Sequence, residues 1–153
     1  MLTLRRHTFF MLCFATLFFG CSRTDQQAVD TAQTAPAGLT AADVAGRWDM
    51  RAVPFSGDTT PTTFVLTANA DNTDWTLTFP GRAPVPSRVR IEGDSIVSEA
   101  GPYASVRRKD VQVRTYTVMR LEGDSLVGTA VARYTTAGAD SVLNLRVTGT
   151  RAK

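Results

Sequence analysis

At 153 residues the chain has room for one domain of ordinary size, and 43% hydrophobic with 20% charged residues suits a globular protein. Its net charge of +3 does not point to nucleic acid: Arg5 and Arg6 fall in a segment expected to be removed, and without them 15 basic residues face 14 acidic ones, too even and too dispersed for a surface that tracks phosphates. His7 is the only histidine and no cysteine follows Cys21, so a body beginning after that point has no thiolate nucleophile, imidazole base, zinc site or internal disulfide.

The first twenty residues read as a signal peptide. Arg5 and Arg6 give a positive start, Thr8 to Gly20 are nearly all apolar, and Gly20-Cys21 closes the run. A spanning helix needs about twenty apolar residues, and this stretch is shorter. Leu17-Phe18-Phe19-Gly20-Cys21 resembles a bacterial lipobox, with Gly20 and Cys21 at its two most telling positions and Phe18 and Phe19 departing from its usual residues. The resemblance implies cleavage at residue 20, lipid on Cys21 and anchoring to a membrane through more than one acyl chain, each buried methylene contributing about 0.8 kcal/mol. Ser22 after the cysteine resembles the sorting signal for the outer membrane, facing the periplasm; the alternatives are secretion or an uncleaved N-terminal anchor helix.

Residues 21–39 are expected to form a lipidated, flexible tether. Ser22 to Leu39 contain no aromatic residue and only Val29 and Leu39 as sizeable apolar side chains, too little burial to offset the entropy of ordering.

Residues 40–153 are expected to form one all-β domain. Thr40 and Asp43 suggest a capping box opening one helical turn that Gly46 ends. From Trp48 the pattern alternates with period two, Trp48, Met50 and Ala52 against Asp49 and Arg51. Eight strands are predicted, near 47–54, 62–69, 74–80, 87–93, 95–101, 110–121, 125–135 and 141–151. Arg90 to Val97 recurs as Arg120 to Val127, each copy with Gly-Asp between two apolar runs, which is hairpin-turn chemistry. The carboxylates of these turns suit an Asp bonding its own backbone better than a calcium or acid–base site. A looser echo, Gly138-Ala139-Asp140-Ser141-Val142, opens the last strand. Sequential hairpins favour a single antiparallel up-and-down barrel, whose closure removes exposed edges.

Gly46-x-Trp48 on the first strand, after a short helical turn, and Arg151 on the last resemble the calycin superfamily, the lipocalins and their small bacterial lipocalin-like relatives. The lipocalin Thr-Asp-Tyr segment is absent, its place taken by Glu122-Gly123-Asp124. The resemblance implies a tryptophan closing the barrel base with Arg151 packed across it.

An eight-stranded barrel either encloses a small molecule or is filled by side chains. One parity of the seventh strand offers Ala130, Ala132 and Tyr134 beside Thr115 and Thr117 of the sixth, with Phe64, Trp75 and Phe79 for an opposite wall; facing inward, they would line a modest cavity. The aromatics could equally fill the space the alanines leave, and the opposite parity would turn Val127, Thr129 and Val131 inward. The expected function is non-enzymatic: a membrane-anchored barrel that binds a small apolar ligand, without metal or cofactor. The alternative is an accessory subunit that docks on an envelope protein partner. Asp49, Asp58, Asp74 and Glu99 form no spaced catalytic pair.

Overall fold

The structure, a computed structural model, describes residues 38–153 except 137, 139 and 140. The signal peptide, Cys21, nearly all of the tether and part of the Gly138–Val142 echo therefore lie outside the described residues. One helical turn, α1 (Ala41–Val44), leads into eight strands: β1 (Gly46–Pro54), β2 (Thr62–Ala68), β3 (Trp75–Thr78), β4 (Val85–Glu92), β5 (Ser95–Ala104), β6 (Gln112–Glu122), β7 (Ser125–Tyr134) and β8 (Val142–Arg151). Each pairs antiparallel with the next and β8 pairs with β1, giving a closed up-and-down barrel.

The topology gives the barrel two unlike ends. At the base lie α1, the C-terminus and the β2–β3, β4–β5 and β6–β7 turns; at the mouth lie the other four connections. Gly93-Asp94 and Gly123-Asp124 are two-residue turns with positive φ at the glycine alone, the type II′ pattern whose twist matches antiparallel strands. At the start of α1 the Asp43 carboxylate accepts from the Thr40 amide (2.8 Å) and hydroxyl (2.7 Å), which holds its pKa below the usual carboxylate value.

Most strand limits fall within one or two residues of the sequence pattern, and the differences that matter are at two places. β3 is only four residues long and β4 begins at Val85, so Pro86, expected in a connection, sits inside a strand opposite Thr76. Proline removes a ladder donor, and only three residue pairs join β3 to β4. β5 runs past its expected end at 101 because the chain bulges there: Ala100 pairs with Thr115 and Tyr103 with Val113. The bulge needs glycine. Gly101 has φ +108°, and a Cβ on it would lie 2.6 Å from the Val113 carbonyl oxygen.

The interior is one cluster of buried residues from every strand except β4, whose half-buried Val85 and Val89 pack against it. Strand β7 turns Leu126, Ala130, Ala132 and Tyr134 inward and Thr129 and Arg133 outward. Two glycines allow close approach: a Cβ on Gly149 would collide with the Met50 sulfur, and one on Gly128 with the backbone carbonyl oxygen of Val118.

Candidate functional site

The base is sealed. Trp48 is wholly buried; its indole N–H donates to the Val44 carbonyl at 2.8 Å, and the Arg151 guanidinium lies over its ring, 4.4 Å from the centroid. Such a cation–π contact contributes about 0.5–2 kcal/mol. Arg151 also donates to the carbonyls of Ala45 (2.8 Å) and Asp43 (2.7 Å), capping the orphan C-terminal carbonyls of α1. Gly46 passes under this guanidinium with φ +127°, and a Cβ there would lie 3.2 Å from Arg151 Nη1.

Above that seal is an internal cavity of about 70 Å³. Phe64, Phe79, Thr115, Thr117, Ala130, Ala132 and Tyr134 all line it. Trp75 does not. It is fully buried in the core with its indole N–H on the Asn69 carbonyl at 2.9 Å, because β3 starts at the base and brings its first residue in below the cavity. Phe64 and Phe79 have ring centroids 5.4 Å apart, and Phe79 and Tyr103 stack at 5.5 Å, which makes an aromatic wall facing the alanines of β7.

Met50, Met119, Ser98 and Tyr103 also line the cavity and were not among the sequence candidates. Met50 and Met119 continue the parities of Trp48 and Thr117, so the pattern could have found them. Tyr103 could not be placed so easily, since the bulge shifts the alternation of β5 by one residue. Burial pushes the Tyr103 phenol above the ordinary tyrosine pKa, and a hydrogen bond with Thr115 opposes that shift. Ser98 is buried and shares a 2.7 Å hydroxyl–hydroxyl hydrogen bond with Ser87, which satisfies both groups inside the wall.

The mouth is closed by arginines. The Arg107 guanidinium donates to the carbonyls of Thr60 (2.7 Å) and Asp58 (3.1 Å), to Thr62 Oγ1 (3.1 Å) and to the Asp58 carboxylate (3.1 Å). It thereby ties the β5–β6 connection to the β1–β2 connection. Arg82, from the β3–β4 connection, donates to the carbonyls of Ala104 (2.7 Å) and Ser105 (3.2 Å). Arg108 lies over the Tyr134 ring at 3.9 Å. Ser105, Val106 and Arg107 form the cavity roof, and the Ser105 hydroxyl accepts from the amides of Arg107 (3.1 Å) and Arg108 (3.0 Å). Asp58 has a lowered pKa, chiefly through its hydrogen bonds with Thr60 and then through Arg107. Of the basic turn Arg107-Arg108-Lys109, Arg107 is therefore part of the cavity roof and Arg108 packs on Tyr134.

Chemically, this interior can enclose apolar groups and offer a few hydroxyls. Among the described residues no three acidic side chains come together as a metal site would require. The fold and site define a closed eight-stranded β-barrel with a small roofed cavity. No protein-family model, curated protein or solved structure matches the chain.

Proposed function

We propose that this chain is a cell-envelope lipoprotein, anchored through Cys21 at the periplasmic face of the outer membrane, whose barrel binds a small apolar ligand without catalysing a reaction. The observation that carries the reading is the inward face of β6 and β7. Thr115, Thr117, Ala130 and Ala132 leave a space that Phe64 and Phe79 face but do not fill. At about 70 Å³ the cavity is smaller than the roughly 150 Å³ that holds benzene or the roughly 300–1,000 Å³ of drug-sized pockets. A ligand must therefore be slender, and room for it comes from Met50 and Met119, whose unbranched side chains repack readily. The lack of histidine, and of cysteine after Cys21, in the body supports a binding role over a catalytic one.

The small volume also supports a second reading, a filled barrel that serves as an accessory subunit of an envelope complex. One experiment separates them. The protein exchanged against envelope lipid extract is analysed by native mass spectrometry, and the ligand reading expects a discrete added mass that Ala130→Trp abolishes, since Ala130 lines the cavity beside its cross-strand partner Thr117. A folded protein with no added mass sinks the ligand reading and favours the subunit. Anchoring is tested separately: mass spectrometry of the intact protein should show acyl chains on Cys21, and an unmodified Cys21 would count against lipidation.

A further inference from the structure

The two ends of the barrel differ in charge. Around the mouth, in the connections and the adjoining strand ends, six basic residues (Arg82, Arg107, Arg108, Lys109, Arg114, Arg133) face two described acidic ones, Asp58 and Asp110. At the base the balance reverses. Seven acidic residues, Asp43, Asp71, Asp74 and the acidic pairs flanking Gly93 and Gly123, face five basic ones.

The large exposed apolar side chains follow the same polarity. Phe55 is 53% exposed, Val106 36%, Val142 39% and Tyr116 40%. The first three lie in or beside mouth connections, and Tyr116 stands two residues below Arg114 on the outer wall. None belongs to the base. Arg114 and Arg133 are direct cross-strand partners on the outer face, an arrangement that like charges disfavour. Among the described residues neither joins an ion pair. An anionic surface laid against this end would relieve that repulsion, and the apolar tips beside it would enter the interface.

We propose that the mouth end is a docking surface for an anionic lipid bilayer, which would place the roofed cavity toward the membrane. This deepens the ligand-binding reading and rests on it for its purpose, since an apolar ligand would then pass between bilayer and barrel without crossing water. Chain length permits the pose even though the tether joins at the base. The sixteen residues between Cys21 and Gly38 span up to about 55 Å when extended, and a ten-residue strand such as β7 is about 33 Å long before tilt.

The test uses residues 35–153, which form a compact unit containing all eight strands and lack Cys21, so that docking is read apart from lipidation. Cosedimentation should show binding to phosphatidylcholine vesicles that contain phosphatidylglycerol, little binding to phosphatidylcholine alone, and loss of binding at high salt. Arg114→Ala with Arg133→Ala should weaken the partition about thirty-fold, while Arg47→Ala with Arg120→Ala, at the base, should leave it unchanged. Phe55→Trp should show a blue shift on vesicles, since Trp48 and Trp75 are fully buried and give a constant background. No binding to either vesicle, equal binding to both, or equal loss from base and mouth variants would overturn the proposal. Ligand retention measured without vesicles is independent of all these outcomes, so a failure of docking and a failure of the ligand reading are distinguishable.

Discussion

The base and the mouth of this barrel are both closed, but by opposite physics. At the base Trp48 is packed on all sides, with its one polar atom paired and Arg151 laid across its ring. Opening that end means exposing a large aromatic surface to water, and burial of such a side chain contributes several kcal/mol. At the mouth the closure is a set of hydrogen bonds from Arg82 and Arg107 to backbone carbonyls, the Thr62 hydroxyl and one carboxylate. Water competes for every one of those groups, so each contributes only about 1 kcal/mol net. An apolar plug holds until the domain unfolds, whereas a polar latch can open and close within the folded state.

Breaking the plug should therefore have the largest effect. Trp48→Ala is expected to lower the stability by about 3–5 kcal/mol, a large share of the roughly 5–15 kcal/mol available to an ordinary domain. Urea unfolding monitored by far-UV circular dichroism checks this, and a midpoint near that of the unaltered chain would refute the unlike-ends comparison. The next effect is expected halfway up the wall. Gly128→Ala places a methyl against the Val118 carbonyl oxygen, which is backbone and cannot swing aside. A loss of about 1–3 kcal/mol is expected from overpacking, measurable as a lowered Tm; an unchanged Tm would mean that β6 and β7 can separate locally at no cost.

How far each end was legible in the sequence follows the same division. The strands at the base were readable from regular alternation, with Trp48 and Met50 sharing a parity on β1 and the two Gly-Asp turns marking the hairpins between, whereas the packing of Arg151 on Trp48 was expected only from the calycin resemblance. Seven of the eight proposed lining residues surround the cavity for the same reason, since period two fixes a face once one residue on it is known. Trp75 was misplaced because alternation gives a face and not a height along the barrel. The mouth was hidden. Its closure joins Arg107 to Asp58, Thr60 and Thr62, forty-five or more positions away, and neither propensity nor spacing encodes a loop-to-loop contact of that range. Gly101-Pro102 looked like the end of a strand, which concealed the bulge that turns Tyr103 inward.

The latch itself invites a smaller and more selective change. Arg107→Ala should cost about 1–2 kcal/mol in global stability, because water takes over the loop groups that its hydrogen bonds release and the Asp58 side chain it pairs with is already 71% exposed. Its signature is local: amide exchange of residues 105–111 should quicken while exchange in β1 and β8 stays slow. If exchange at the base quickened equally, the roof would be part of one cooperative unit with the base and the latch idea would fail. Acid should act in the same direction. Asp58 has a pKa depressed chiefly by its hydrogen bonds with Thr60 and then by Arg107, so the stability these contacts give the loop is present above the unfolded-state value and is lost as pH falls through the lower folded value.

At alkaline pH the mouth responds through a different group. The folded-state pKa of Tyr103 is raised by burial, so its contribution is fully present below the unfolded value near 10 and is lost as pH rises through the folded value. The expected effect is the smallest of the set. Ultraviolet titration of the tyrosines should show one phenol ionising above the ordinary value, and Tyr103→Phe should remove that step and flatten the alkaline loss of stability. Thr115 would lose a hydrogen-bond partner in the same variant, so part of the gain is offset, and the pH slope is a cleaner readout than stability at neutral pH. A late step that survives in Tyr103→Phe would assign the buried phenol elsewhere, and the alkaline sensitivity of this end would then no longer trace to the bulge that turns Tyr103 inward.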